Sequence, residues 1–280
     1  MILVDVVVLK KENKMDQDIS IVMPIHNQES ITQKILRGIY NNSSENVKEL
    51  ILILDGCTDN TRSVVEEFLK EYNESDRFNL KLFITPNIFE VRSCNIGFKN
   101  STCPWIINIQ DDIEILEKDF DQRLMKPFLK FDNLLGVTGR DSANVSLNSN
   151  NQIEFTDLAG RDAVSSNLKD RNKFYVRDII NRAPILFNHE KLRQLGYLDE
   201  DFAPICQDDT DLFLRAYKKY GYICGSYLID YNSPLEWGGT RKSIEVSNFV
   251  NWSEQKNMQL LKERHCDIII GKKHNFEIDM

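Results

Sequence analysis

The chain has 280 residues, enough for one large α/β domain or two small ones. Apolar residues make up 41% and charged residues 28% of the chain, as in ordinary globular proteins, which argues against a disordered half. Acidic residues outnumber basic ones 43 to 35, and the net charge of −8 argues against binding to nucleic acid or to an anionic membrane. A polyanionic ligand would need local neutralisation by a metal ion or by a few placed Arg and Lys residues.

Six cysteines show neither a C-x-x-C pair nor a His at zinc-ligand spacing, so we expect free thiols. The apolar run at residues 2–9 is interrupted by Asp5 and is too short for a membrane span. It also lacks the features of a signal peptide, and no other run approaches the length of a transmembrane helix. We therefore expect a cytoplasmic protein without a transmembrane segment, in which residues 2–9 form a strand or pack against the domain.

The first half of the chain alternates apolar strand-like runs with segments of helical period. Residues 19–23 predict the first strand, and a helix follows from about Ser30, whose hydroxyl can cap it. The apolar face of this helix consists of Ile31, Ile35, Leu36 and Ile39. Residues 50–54 predict a second strand, followed by another amphipathic helix around residues 64–72. This β-α-β-α start is typical of an α/β domain with a mostly parallel, mixed sheet flanked by helices.

Three further strands are predicted at residues 80–84, 105–109 and 135–138. Residues 141–175 lose periodicity, and we predict a long polar loop there, of the kind that serves as a mobile substrate loop.

The second half begins with a strand at residues 185–187 and a helix near residues 189–195. A stronger helix is predicted at residues 210–220, with Gly221 ending it. Beyond residue 240 the sequence predicts a helical tail with apolar residues available for docking, which are Val246, Phe249, Val250 and Leu260. The expected organisation is an extension at 1–17, a main domain at 18–240 and a tail at 241–280.

Polar clusters stand directly after three of the predicted strands. Residues 24–27 read Pro-Ile-His-Asn, residues 55–59 read Asp-Gly-Cys-Thr-Asp, and residues 110–112 read Gln-Asp-Asp. Open α/β sheets bind ligands at the carboxyl ends of their strands, so all three clusters should face one crevice. Taken alone, the second cluster is equally consistent with a turn at Asp55 and Gly56 followed by a helix cap at Thr58 and Asp59.

Residues 21–27 and 54–61 resemble the opening of the family 2 glycosyltransferases, which have the GT-A fold. The resemblance implies that the first segment, with Pro24, His26 and Asn27, binds the nucleoside of the donor. It also implies that the carboxylate of Asp55 accepts a hydrogen bond from the base. A Rossmann dehydrogenase is disfavoured because the turn after the first strand lacks G-x-G-x-x-G.

Residues 90–97 resemble the segment of the same family that carries Arg, Asn and Gly. The resemblance implies that Arg92 meets the diphosphate, which a guanidinium can contact with two hydrogen bonds. The alternative is a surface arginine that caps a helix or pairs with Glu90.

Residues 110–112 stand where the family carries its D-x-D metal motif, with Gln110 in place of the first Asp. The resemblance implies that Asp112 binds a divalent metal, Mn²⁺ or Mg²⁺, and that Asp111 meets the ribose. Without a cation, each carboxylate facing a phosphate at about 4 Å would cost on the order of 4 kcal/mol at an effective dielectric of about 20. The alternative is a solvated acidic turn that includes Glu114.

Residues 196–202 and 208–215 resemble the acceptor-side signature of the family. The resemblance implies that Asp209 is the catalytic base, and it makes Asp208 and Asp211 candidates for the acceptor side. Asp208 and Asp209 can also cap the helix near Thr210, and both roles are compatible.

Residues 237–241 stand where relatives often place a His that completes the metal shell, and this chain has none there. Trp237 is a further acceptor-side candidate, and the missing ligand is left to Glu236 or to water. His189, His265 and His274 lack metal-ligand spacing and are predicted to be surface or helix-end residues.

The resemblance covers about residues 18–240 and implies an inverting transfer of a hexosyl or related group. The donor would be a UDP-, GDP- or dTDP-linked sugar, and the acceptor a glycan, lipid-linked or protein hydroxyl in polysaccharide or glycoconjugate synthesis. A nucleotidyltransferase of related fold is one alternative, although it would need a Gly-rich, Lys-bearing phosphate loop that is missing here. A catalytically inactive sugar-nucleotide-binding protein and a scaffold are the others.

Overall fold

The computed structural model describes residues 16–73, 77–160, 170–181, 184–238, 244–270 and 276–280. Three predicted features lie outside these residues, namely the apolar run at 2–9, the segment 239–241 and His274. The strands are, in chain order, β1 (Ile19–Ile25), β2 (Val47–Asp55), β3 (Asn79–Thr85), β4 (Trp105–Asn108), β5 (Glu114–Ile115), β6 (Leu134–Thr138), β7 (Asp141–Leu147), β8 (Ile153–Gly160), β9 (Lys173–Arg177), β10 (Ile179–Ile180), β11 (Ile185–Asn188), β12 (Ile223–Ser226), β13 (Tyr231–Asn232) and β14 (Phe276–Asp279). The helices are α1 (Thr32–Asn42), α2 (Thr61–Asn73), α3 (Phe89–Asn100), α4 (Phe120–Met125), α5 (His189–Gln194), α6 (Asp208–Tyr220) and α7 (Ile244–Ile270).

The main sheet of the described residues has the strand order β14-β9-β12-β6-β11-β4-β1-β2-β3. The four strands β4, β1, β2 and β3 are parallel and form its core. The rest is mixed, since β11 runs antiparallel to both β4 and β6 while β12 is parallel to β6. The predicted α/β class with a largely parallel sheet core is confirmed. Because parallel strands end at the same edge, the turns after β1, β2 and β4 lie side by side.

Helices cover both faces of the parallel core, which explains why its central strands are apolar on both sides. In β1, Ile21 and Met23 pack on the face that carries α1 and α2, where Ile35 and Phe68 are buried. Val22 of the same strand packs on the opposite face, which carries α3 and α6. The predicted apolar face of α1 is confirmed, because all four of its residues are buried.

The predicted cap at Ser30 is wrong. α1 begins at Thr32, with Ile31 in the cap position and no side-chain hydrogen bond from that residue. Instead, the carbonyl oxygen of Gln28 accepts from the backbone N–H groups of Ile31 and Thr32, and from the Thr32 hydroxyl at 2.7 Å. A backbone turn at Gln28 therefore starts the helix.

The prediction of a long loop at residues 141–175 is wrong for its described part. β7 and β8 form an antiparallel hairpin, β10 pairs with β7, and β9 belongs to the main sheet. Ala143 and Val145 of β7 are buried, whereas most of β8 is partly or fully exposed, so the hairpin contains no long apolar run. Residues 161–169 of the predicted loop lie outside the described residues.

The described part of residues 241–280 is joined closely to the rest of the protein. α7 packs along α6. β14 pairs antiparallel with β9 at the edge of the main sheet. The helix was predicted, whereas β14 was not, because its only apolar residues, Phe276 and Ile278, alternate with acidic ones.

All six cysteines are free thiols, as predicted. None of the helices in the described residues combines the length and the apolar character needed to cross a membrane.

Candidate active site

The turns that follow β1, β2 and β4 open onto one cleft of about 660 Å³. Other parts of its lining come from the start of α3, the loop before α6 and the first turns of α7. The lining residues are Pro24, Ile25, His26, Asn27, Gln28, Asp55, Asn87, Phe89, Glu90, Gln110, Asp111, Asp112, Ile205, Gly238, Glu245, Val246, Phe249 and Val250. Six residues predicted for donor or metal binding are thus brought together, namely Pro24, His26, Asn27, Asp55, Asp111 and Asp112.

Hydrogen bonds from the turn after β1 tie the three strand ends to one another. The backbone N–H of His26 donates to Asp111 Oδ2 at 2.8 Å, and His26 Nδ1 lies 2.5 Å from the carbonyl oxygen of Asp55. Because a carbonyl oxygen only accepts, Nδ1 carries the proton and Nε2 is left to accept from Asn27 Nδ2 at 3.2 Å. His26 therefore links the turns after all three strands.

Asn27 fixes the shape of the same turn. Its backbone is left-handed, with φ of 51°, a conformation that Asn tolerates better than most residues. Its Oδ1 accepts from the backbone N–H of Thr58 at 2.7 Å. The side-chain oxygen of Asn27 is thus engaged with the turn after β2.

Asp55 ends β2 with its side chain largely buried. Its Oδ1 accepts from the backbone N–H of Ile88 at 2.7 Å and from the Thr85 hydroxyl at 3.2 Å. The next residue, Gly56, has φ of 60°, and a Cβ there would lie 2.5 Å from the backbone nitrogen of Asn87. Only glycine fits this turn, and the turn holds the Asp55 carboxylate at the cleft.

The turn after β4 places two adjacent carboxylates beside a third. Gln110 Nε2 donates to Glu90 Oε1 at 2.9 Å, which brings Glu90 next to Asp111 and Asp112. Removal from water raises the pKa of Asp111 to about 7, and the charges of Asp112 and Glu90 act in the same direction. The hydrogen bonds from the His26 N–H and from Gln28 oppose this rise without cancelling it.

The oxygens at this turn fit a hard divalent cation in part. Carboxylate oxygens are ligands of Mn²⁺ and Mg²⁺, and the repulsion that raises the pKa of Asp111 is one that a bound cation would relieve. Over the described ranges, however, no three His, Cys, Asp or Glu side chains are placed as a ligand set. Oxygens of a bound diphosphate or water would have to complete the coordination of a metal at Asp112.

Arg92 is not among the residues that line the cleft, and its contact with the diphosphate stays a prediction. The side chain is exposed on α3, and its Nε lies 3.4 Å from Glu200 Oε2. The first turn of a helix points its successive side chains in different directions, so Phe89 and Glu90 face the cleft and Arg92 does not. The alternative of a surface arginine agrees with this exposure, although the acidic partner is Glu200 and not Glu90.

Asp209 lies in the first turn of α6 and is partly exposed, with Oδ1 accepting from the Thr210 N–H at 2.8 Å. It is not among the lining residues, and Ile205 is the part of the preceding loop that reaches the cleft. Asp209 thus follows the loop that contributes Ile205 to the cleft wall, and its role as the base stays a prediction.

The acceptor-side assignments of Asp208 and Asp211 are not supported, because both residues are fully buried. Asp211 Oδ1 lies 2.8 Å from His265 Nε2, and its Oδ2 accepts from Arg215 Nε at 3.0 Å. The prediction of an exposed or helix-end His265 is therefore wrong, since this side chain is buried between α6 and α7. Asp211 on α6 and His265 on α7 thus join the two helices.

Trp237 lies beside the cleft. Its carbonyl oxygen accepts from Gln28 Nε2 at 2.9 Å, and Lys34 Nζ lies 5.1 Å from the centroid of its ring. Neither Trp237 nor the exposed Glu236 lines the cleft, whereas the following Gly238 does. Residues 239–241 lie outside the described residues.

Sequence reasoning missed the side of the cleft formed by α3 and α7. The segment that leads into α3 and its first turn contribute Asn87, Phe89 and Glu90. The first turns of α7 contribute Glu245, Val246, Phe249 and Val250. The apolar spacing 246, 249, 250 did indicate one face of a helix, but it did not indicate what that face would cover.

The fold is the GT-A fold of nucleotide-sugar transferases, as similarity to solved structures shows. One is the crystal structure of GalNAc-T7 with UDP, GalNAc and Mn²⁺, with a TM-score of 0.63 and 13% identity over 88% of this chain and 47% of that chain. Another is a mannosyltransferase from Pyrobaculum calidifontis in complex with GDP-Man and Mn²⁺, with a TM-score of 0.54 and 12% identity over 91% of this chain and 76% of that chain.

Residues 20–196 match the family described as Glycosyl transferase family 2, and the chain belongs to this family. A curated relative from Methanococcus voltae is a dolichyl N-acetyl-alpha-D-glucosaminyl phosphate 3-beta-D-2,3-diacetamido-2,3-dideoxy-beta-D-glucuronosyltransferase. It is 28% identical over 149 residues, which are 51% of this chain and 46% of the relative. The chain spans about half the length of the curated relatives it matches first.

Proposed function

We propose that the protein transfers a sugar from a nucleoside-diphosphate donor to an acceptor hydroxyl. The observation that carries the proposal is the composition of the cleft, whose described lining has five carboxylates and no Lys or Arg. The carboxylates are Asp55, Glu90, Asp111, Asp112 and Glu245. A divalent cation would offset this negative charge and allow a diphosphate to bind, because each uncompensated pair of like charges would cost several kcal/mol.

The nucleoside binds at the ends of β1 and β2 in this proposal. Asp55 accepts from the edge of the base, while Pro24 and His26 form a wall of the pocket. A carboxylate only accepts hydrogen bonds, so Asp55 pairs with an N–H group on the edge of the base, such as the ring N–H of uracil, thymine or guanine. Asn27 acts by holding the turn, and Asp111 meets the ribose.

The diphosphate binds near Asp112 together with Mn²⁺ or Mg²⁺. The cation supplies charge stabilisation for the departing nucleoside diphosphate. Similar proteins bind such ligands, since the GalNAc-T7 structure contains UDP with Mn²⁺ and the mannosyltransferase structure contains GDP-Man with Mn²⁺. Asp112 holds the cation with one carboxylate, and Glu90 and Asp111 add negative charge nearby.

The acceptor hydroxyl gives its proton to Asp209 as it attacks the anomeric carbon. The new glycosidic bond forms as the bond to the diphosphate breaks, so a single displacement inverts the anomeric configuration. This route needs one positioned base, whereas retention by double displacement would need a second carboxylate as nucleophile.

The acceptor is a glycan, a lipid-linked sugar or a protein, in polysaccharide or glycoconjugate synthesis. The relative from Methanococcus voltae is named for a dolichyl-linked sugar phosphate, which favours a glycoconjugate acceptor. A cytoplasmic location stays a prediction that cell fractionation can test.

A thermal-shift panel of UDP, GDP, dTDP, CDP and ADP, with Mn²⁺ or with EDTA, tests the proposal. A ligand at one hundred times its dissociation constant should stabilise the fold by about 2.7 kcal/mol. We expect stabilisation by UDP, GDP or dTDP with Mn²⁺ and little stabilisation by the same nucleotides in EDTA. Failure of every nucleotide to stabilise the protein would overturn the proposal, while binding without donor hydrolysis or transfer would favour an inactive sugar-nucleotide-binding protein.

A further inference from the structure

One side of the cleft is apolar and comes mainly from α7. Val246, Phe249 and Val250 occupy one face of its first turns and line the cleft. The whole of α7 lies beyond residues 20–196, which match the family. This wall therefore lies outside the matched segment.

The α7 wall is joined to the turn that holds Asp55. The rings of Phe249 and Phe89 stack with centroids 5.1 Å apart and an interplanar angle of 28°. Phe89 directly follows Ile88, whose N–H donates to Asp55 Oδ1 at 2.7 Å. The aromatic pair and the Asp55 carboxylate thus belong to the same end of the cleft.

Buried hydrogen bonds hold α7 in this position. Ser253 Oγ donates to the carbonyl oxygen of Ile205 at 2.6 Å. Asn257 Nδ2 faces the carbonyl oxygens of Phe202, Ile205 and Cys206 at 2.7 to 2.9 Å. A wall fixed before the ligand arrives saves the entropy of ordering it on binding.

We propose that Phe249 forms the apolar wall against which the nucleobase of the donor packs. This proposal rests on the proposed function. A nucleobase has a polar edge and two apolar faces, so it needs a hydrogen-bond partner at the edge and apolar surface at a face. Asp55 provides the first, and Phe249, supported by Phe89, provides the second across from Pro24 and His26.

Titration calorimetry on the full chain with Mn²⁺ tests this role. It compares the affinity for a nucleotide, UDP or GDP, with the affinity for inorganic pyrophosphate, which has no base. We expect Phe249→Ala to weaken binding of UDP or GDP by about 5-fold to 100-fold, the range measured for loss of aromatic stacking on a base. Binding of inorganic pyrophosphate should be unchanged, because it has no base. Phe249→Tyr keeps the ring and should bind the nucleotide as the wild type does.

Tyr220→Ala is the control. Tyr220 ends α6 and is 42% exposed, and it is not among the lining residues, so loss of its ring should leave nucleotide binding unchanged. Unchanged nucleotide affinity in Phe249→Ala, or an equal loss for pyrophosphate, would overturn the role of Phe249. If the wild type binds neither UDP nor GDP, the proposed function itself fails, which is a distinguishable result.

Discussion

At the scale of single residues, Asp55 is a tightly held carboxylate of the cleft. One oxygen is held by Ile88 and Thr85, and the glycine after it admits no side chain. We expect Asp55→Ala to weaken donor binding by about 1.5 to 3 kcal/mol, as for loss of a hydrogen bond to a buried charged group. Titration calorimetry with UDP or GDP measures this loss. Asp59→Ala is a suitable control, because Asp59 accepts from the Thr61 N–H at the start of α2 and does not line the cleft.

Asp112 should determine the metal dependence of donor binding. With Asp112→Asn, the remaining carboxylates would face the diphosphate without a firmly bound cation to offset their charge. Nucleotide binding in Mn²⁺ should therefore fall towards the weak binding expected in EDTA. Calorimetry with and without EDTA measures both effects. Glu114→Gln removes a nearby acid that pairs with Lys34 outside the cleft. It should change neither the nucleotide affinity in Mn²⁺ nor the effect of EDTA. A nucleotide affinity indifferent to EDTA and to Asp112→Asn would show that the metal assignment is wrong.

Asp209 should affect turnover and leave donor binding intact. Asp209→Asn keeps the shape of the side chain and the acceptor for the Thr210 N–H, so it isolates the loss of a base. We expect turnover to fall by about 10²-fold to 10⁴-fold with donor affinity nearly unchanged. Transfer assays and NMR of the product measure the rate and the anomeric configuration. Full activity in the variant, or a retained configuration, would contradict the assignment.

At the scale of secondary-structure elements, the packing of α6 against α7 depends on Asp211 and His265. Both side chains are buried, and their atoms lie 2.8 Å apart. His265→Leu removes a donor from a buried carboxylate, which should lower the free energy of unfolding by about 1.5 to 3 kcal/mol. Denaturant unfolding followed by tryptophan fluorescence measures this change.

The same two helices offer a matched control. Lys218 Nζ on α6 lies 2.9 Å from Asp267 Oδ2 on α7, and both side chains are largely exposed. Because exposed ion pairs contribute little, Lys218→Ala should change the free energy of unfolding by less than about 1 kcal/mol. Equal effects of His265→Leu and Lys218→Ala would refute a special role for the buried pair.

At the scale of the whole molecule, Glu49 fastens the parallel core at the edge opposite the cleft. Its carboxylate accepts from Ser20 Oγ in β1 at 2.5 Å, from Lys81 Nζ in β3 at 2.6 Å and from the Thr102 N–H before β4 at 2.9 Å. Burial acts to raise the pKa of Glu49, but these hydrogen bonds outweigh it and lower the pKa from 4.5 to about 2.

This lowered pKa predicts how stability depends on pH. The carboxylate contributes fully above about pH 5, and its contribution is lost as the pH falls from about 4.5 towards 2, because the unfolded chain binds the proton first. Glu49→Gln should lower the free energy of unfolding by up to about 3 kcal/mol at pH 6, with a smaller difference at pH 3. Urea unfolding at both values tests this. The exposed Glu190→Gln should have no measurable effect, and a difference for Glu49→Gln that is independent of pH would contradict the prediction.

Much of the fold followed from the sequence, because buried parallel strands and amphipathic helices have distinct apolar periods. The strands at 19–23 and 50–54 and the buried face of α1 appear close to where they were predicted. The hairpin β7–β8 was not predicted, because its apolar residues are interspersed with polar ones and form no long apolar run. The start of α1 was also misplaced, because a backbone turn at Gln28 took the place of a side-chain cap.

The sequence by itself determined the strand-end half of the candidate site. Residues directly after parallel strands meet at one edge of the sheet, so Pro24, His26, Asp55 and Asp112 could be grouped from their order alone. Only the tertiary structure decided which side chains point into the cleft. Arg92 lies beside Glu200, and Asp211 is buried against His265. Phe249, which is remote from Phe89 in the sequence, stacks on its ring. The physical reason is that the direction of a helical side chain, and the helix that packs against it, depend on contacts between residues remote in sequence, which local patterns do not encode.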